Sequence, residues 1–246
     1  MHGARRQPQR TLRALGQALM LMLAGGAAAC AAGPPPMLTF ASGRAVPDIS
    51  GVWQVTDYRP GIRSLDGALP PLRPEAMALY ERNLVTYAEL PPRDDMTRCV
   101  PPGTPRINFA PFPLLIVETE RKITLLYEYQ HIIRHIYMDE DLPDRDELDF
   151  TYLGDSAGRW DGDTLVIETA GFNDLTRLDR EGMPHGENLH VTERIRLIDG
   201  GRRMENVMTI DDPDTFTAPW STRLVYERKP GVEIEEYNCW RRYEDF

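Results

Sequence analysis

From Phe112 onward the sequence is a succession of short segments in which apolar and polar residues alternate, separated by turn residues. "PLLIVETE", "ITLLYEYQHIIRHIYMD", "DTLVIETAGF", "LHVTERIRLID", "RRMENVMTIDD", "STRLVYERK" and "VEIEEYNCWRRY" follow one another with little between them. Successive side chains of an extended chain point to opposite faces, so such segments read as strands with one buried face. Asp161-Gly162-Asp163, the Gly-Gly pair in "IDGGRR" and the Pro-Gly pair in "RKPGVE" read as turns between them.

Strands joined by short turns make an antiparallel meander, and closing it removes the exposed edges it would otherwise carry. The expected fold is therefore all-β: an antiparallel, lipocalin-like barrel of about 8–10 strands, wide enough for one small ligand. The Gly-x-Trp of "DISGVWQV" marks the first strand and is a lipocalin-type feature. One helix is expected, over "RPEAMALYERNLVTYAEL" (73–90), with Pro74 at its start and Met77, Leu79, Tyr80, Leu84 and Tyr87 falling near one apolar stripe. Five prolines between 91 and 105 leave no room for regular structure after it. "DEDLPDRDELD" lacks the Gly and the alternate ligands of a calcium loop and reads as solvated.

The N-terminal region carries Arg5, Arg6, Arg10 and Arg13 with no acid, then an uncharged apolar stretch ending in Ala-x-Ala. That is the layout of a secretory signal over residues 1–29. Cys30 directly after it offers a lipid anchor, the one membrane contact expected, against ordinary cleavage among the alanines. Residues 30–47 read as a tether and 48–246 as one barrel domain. Removing four arginines takes the formal net charge from −10 to −14, which argues against nucleic acid or anionic lipid as partner. In an oxidising compartment Cys99 and Cys239 are expected to pair, tying an early segment to the C-terminal strand. The localisation implied is periplasmic or exported.

"SGVWQ" (50–54), "CVPPGTPR" (99–106), "GRWDGDTLVIETAGFND" (158–174), "PHGENLHVTERIR" (184–196) and "TIDDPDTFTAPW" (209–220) together resemble a family of exported bacterial proteins with no assigned activity. The resemblance covers most of the chain after the signal. It implies an exported lipocalin-like β-fold and importance for Glu128 and Arg134. One departure is Gly186, where similar proteins carry Ser, so a nucleophile there is missing.

In "LHVTERIRL" one strand face is Leu189, Val191, Glu193, Ile195 and Leu197; His190 lies on the other. Glu193 is the only charge on its face, and an unpaired buried carboxylate is costly, so it needs a partner. In "ITLLYEYQHIIRHIY" one face is Glu128, Gln130, Ile132, Arg134 and Ile136, the other Tyr127, Tyr129, His131, Ile133, His135 and Tyr137. Either face can point inward. The first would bring Arg134 to Glu193; the second would line the cavity with His and Tyr. His131 and His135 are about 13 Å apart on a strand, too far for one ion, so no metal is expected. Nothing resembles a cofactor motif.

His185 and Glu187 in "GMPHGENLH" form a second cluster, with Asp179 as an alternative acid, at a rim where catalytic groups commonly sit. The expected catalytic set is His185, Glu187, Glu193 and Arg134, doing acid–base chemistry of the lyase, hydratase or isomerase type. The expected ligand contacts are Glu128, Tyr129, His131, Glu168, Asn173 and His190. The partner is a small, mostly apolar or aromatic molecule. The alternative is a binding lipoprotein of the envelope without catalysis. "GDSAG" (154–158) spells a hydrolase elbow but lacks the helix that the elbow requires.

Overall fold

The computed structural model describes residues 33–88, 95–237 and 239. The expected signal and Cys30 lie outside the described residues. Within the stretch expected as a tether, β1 (Met37–Thr39) and β2 (Ala45–Pro47) pair as a small hairpin. Arg44 of this hairpin bonds Asp139, and Ser42 bonds Glu120.

Nine further strands close into a barrel. They are β3 (Gly51–Val55), β4 (Leu114–Glu118), β5 (Lys122–Tyr127), β6 (Ile133–Met138), β7 (Asp155–Asp161), β8 (Thr164–Ala170), β9 (His190–Ile198), β10 (Arg203–Asp211) and β11 (Trp220–Arg228). The order around the barrel is β10-β11-β3-β4-β5-β6-β7-β8-β9, and β9 pairs back onto β10. The all-β barrel expected from the alternation is present, but it is mixed rather than wholly antiparallel. β6 and β7 run parallel. The acidic stretch after Met138 supplies the crossover that a parallel pair needs.

Alternation shows directly in burial. In β6, Arg134, Ile136 and Met138 are buried while Ile133, His135 and Tyr137 are exposed. In β9, Val191, Glu193 and Ile195 are buried. "ITLLYEYQHIIRHIY" is not one bent strand. A 3-10 turn at Tyr129–His131 divides β5 from β6, with positive φ at Gln130 (55°) and His131 (50°). The turn resets the parity: Tyr127 and Arg134, seven positions apart, both point inward. "VEIEEYNCWRRY", expected as a strand, is irregular over 232–237.

One end of the barrel is closed by Trp53, which is wholly buried and donates its indole N–H to Ile49 O at 2.8 Å. Arg228, at the end of β11, stacks over its ring at 4.3 Å and donates to the carbonyls of Asp48, Ser50 and Gly201. The guanidinium thereby covers the ring face and satisfies backbone acceptors at a strand end.

The other end is stoppered by the chain itself. Residues 102–109 are all buried, and they include a 3-10 turn at Arg106–Phe109. Gly103 allows this approach: a Cβ there would lie 2.6 Å from the Tyr152 carbonyl oxygen, and φ is +74°. The helix α1 (Pro74–Ala88) packs beside this end, with Tyr80 buried and its hydroxyl donating to Glu181 at 2.5 Å. The bridge expected between Cys99 and Cys239 is formed and links the stopper to the C-terminal segment.

Candidate functional site

Two arrangements of polar and aromatic groups stand out: a network sealed inside the barrel and a cleft at its stoppered end. The inner network is built by alternation on β6, β8, β9 and β10 and completed by the stopper. Arg134 Nη2 donates to Glu193 Oε2 at 2.5 Å and to Thr169 Oγ1 at 2.8 Å, and Nε donates to Ser156 Oγ at 3.1 Å. Both charged side chains are 1% exposed. Glu193 Oε1 accepts from Asn108 Nδ2 at 2.9 Å and from Asn206 Nδ2 at 2.8 Å. Tyr127 donates to Asn108 Oδ1 at 2.6 Å, and Tyr226 to Asn108 O at 2.8 Å.

Burial acts to lower the Arg134 pKa, but the charge of Glu193 and the neighbouring Tyr127 outweigh it, and the guanidinium lies above its ordinary value. Burial pushes the Tyr127 and Tyr226 phenols up. The pair is therefore ionic, desolvated and gripped from several sides. Chemically it holds a shape; a substrate would have to displace the stopper to touch it.

The second predicted cluster separates. His185 is buried, its Nε2 lies 2.8 Å from Thr176 Oγ1 and its Nδ1 3.1 Å from Gly186 O. A carbonyl only accepts, so Nδ1 carries the proton and Nε2 accepts the threonine hydroxyl. Burial lowers the His185 pKa, and the ring is neutral near pH 7. Glu187 is exposed on the turn and does not orient it. Nor does Asp179, whose oxygens accept from Ile62 N and Met183 N, both at 2.9 Å. A Cβ at Gly186 would meet Asp214 at an ordinary 3.5 Å, so the geometry does not require glycine there.

The expected ligand contacts also disperse. Glu168 faces outward and pairs with Arg159 at 3.4 Å. Asn173 Oδ1 accepts from Leu175 N at 3.2 Å, a turn cap. His190 is half-buried at the start of β9, opposite Asp211. Glu128, Tyr129 and His131 do come together, but around the C-terminal segment. Glu128 Oε2 accepts from Glu235 N at 3.1 Å, and His131 Nε2 accepts from Tyr237 N at 3.0 Å. Tyr129, Phe112 and Tyr237 pack with ring centroids 4.8–5.7 Å apart.

That aromatic cluster forms one wall of a cleft of about 310 Å³. Tyr58, Arg59, Pro60, Met96, Phe109 and Ala110 line it as well, with Arg106, Asp179 and Arg180. Cys239 of the disulfide also lines it. The lining is mostly apolar, with three arginines against one carboxylate. Burial raises the Asp179 pKa, against the backbone N–H groups of Met183 and Ile62, which favour its ionised form.

Alternation alone would have found Asn206, which shares the inner face of β10 with Met204 and Met208. No periodic signal points to Asn108, Tyr58, Arg59 or Phe112, because they lie in Pro-rich or irregular segments. Among groups of His, Cys, Asp and Glu in the described residues, none is arranged to hold a metal ion. The chain matches no protein-family model, and no curated protein matches it.

Proposed function

We propose that this is an exported protein that binds a small, mostly apolar or aromatic molecule in the cleft at the stoppered end of the barrel. The observation that carries this reading is the cleft itself: a concave site of about 310 Å³ walled by Tyr58, Phe109, Phe112, Tyr129 and Tyr237. Concave, aromatic-lined sites with a few polar groups are the usual form of small-molecule pockets. Export accords with the basic-then-apolar N-terminus and with the Cys99–Cys239 disulfide. Attachment through Cys30 would place the same cleft at the envelope surface.

Binding without catalysis is the form of the proposal the geometry supports best. Acid–base chemistry needs a titrating group within reach of the substrate. Glu193 and Arg134 are each 1% exposed, and His185 is buried with both ring nitrogens engaged. Lyase, hydratase or isomerase chemistry therefore draws no support from these groups.

The test uses N-phenylnaphthylamine, an uncharged aromatic probe that fluoresces when taken out of water. The disulfide-bonded protein should bind it saturably. Ala110→Trp should fill the cleft and remove that binding while the circular dichroism spectrum and melting temperature stay near the parent's. Undiminished binding to a correctly folded Ala110→Trp protein would refute the assignment.

A further inference from the structure

A second cavity, of about 180 Å³, adjoins the first. The two share Arg59 and Phe109 as lining residues. Their chemistry differs. The first is walled by rings, whereas the second has Ser64, Thr222, Arg63 and Arg223 among its lining residues. A molecule seated across the boundary therefore meets an apolar wall on one side and hydroxyls, guanidinium groups and the Asp57 carboxylate on the other, with Arg59 between them.

The cations differ in how tightly they are committed. Arg63 is tied to Glu181 at 2.8 Å, and that carboxylate is also held by Tyr80. Arg223 is tied to Glu205, whose second oxygen is held by Arg196. Arg59 pairs with Asp57, two residues away, and the two side chains are 63% and 62% exposed. An exposed pair of this kind contributes little and exchanges readily with water or another anion. Arg59 is thus the cation at this boundary that a ligand can recruit without breaking a buried network.

We infer that the ligand of this cleft is an aromatic amphiphile carrying an anionic group, a carboxylate or sulfonate, with its rings in the first cavity and its anion on Arg59 at the edge of the second. The inference rests on the binding reading above and specifies the ligand class for that site. The guanidinium presents a planar donor fork suited to such oxyanions. Arg63, Arg223 and Arg59 are each balanced by a carboxylate, Glu181, Glu205 and Asp57, so the anion is taken up by exchange at Arg59 and not by a net local charge.

The experiment compares two probes of one aromatic skeleton, anilinonaphthalenesulfonate and N-phenylnaphthylamine, which differ by the sulfonate. The parent should bind the sulfonate about threefold more tightly, the size expected of an ion pair on a side chain this exposed. That preference should shrink as salt is raised. Arg59→Gln should lower sulfonate affinity by about the same threefold, move the uncharged probe's far less, and leave the melting temperature unchanged. Equal affinity of the parent for the two probes, or a preference that survives in Arg59→Gln, overturns the inference about the anion. If Ala110→Trp removes both probes in that case, the cleft reading stands without it. If both probes bind Ala110→Trp as they bind the parent, the cleft reading falls and this inference with it.

Discussion

Replacing Glu193 by Gln keeps the side-chain volume and removes one charge from the barrel interior. The parent carboxylate receives Arg134 on one oxygen and two amide donors, Asn108 and Asn206, on the other. A glutamine has one acceptor oxygen and one NH2 group. If its oxygen faces Arg134, its NH2 faces both asparagine donors; turned round, it faces the guanidinium. The second orientation sets donor against donor in a place without solvent, and the first finds an acceptor only if Asn206 turns its amide to offer the Oδ1 that has no partner in the parent. Removing one member of a buried ion pair costs roughly 3–5 kcal/mol, because the remaining charge is left uncompensated. For a domain of this size that is a melting temperature lower by roughly 6–20 °C. The loss is a large part of a typical stability of about 5–15 kcal/mol. Thermal melts by circular dichroism, with a denaturant titration beside them, measure it. Arg134→Met combined with Glu193→Leu should recover most of the loss, since two apolar side chains leave no orphan charge. A Glu193→Gln protein that melts within about 2 °C of the parent would refute the description of the pair as desolvated and charged.

Reduction of Cys99–Cys239 releases a link across 140 residues. Chain-entropy models assign such a link about 4–5 kcal/mol, and the reduced protein should melt well below the oxidised one. Equal melting temperatures would show that the stopper and the C-terminal segment hold without the bridge. The neutral, buried His185 predicts a pH dependence of definite sign. Its folded pKa lies below the ordinary 6.5, so the unfolded chain binds the proton more readily. Stability from this residue is complete above that ordinary value and declines as the pH falls through and below it. Denaturant midpoints should drop from about pH 7.5 to about 5.5 by more in the parent than in His185→Gln; parallel declines would exclude His185 as the cause.

What the sequence determined by itself was what alternation can encode. The faces of β9 are legible in "LHVTERIRL", and with them the prediction that Glu193 is buried and needs a partner. The turns at Asp161-Gly162-Asp163 and Gly200-Gly201 are legible because turn chemistry is local. The barrel class follows from those two signals. Which face of the Arg134 segment points inward was not legible, because the 3-10 turn at Tyr129–His131 resets the parity, and left-handed backbone at Gln130 and His131 has no signature in the letters. The parallel pairing of β6 with β7 depends on where the acidic connection lands, a long-range contact with no local cue. The stopper is the clearest case. "CVPPGTPRINF" reads as structureless by propensity, yet the closed barrel leaves an end that buried polar groups must have covered. Asn108 is fitted to Glu193, 85 positions away, only when the nine strands have closed around it. The cleft beyond the stopper exists for the same reason: its walls come from six separate segments whose proximity is set by the barrel and the disulfide, and by nothing within any one of them.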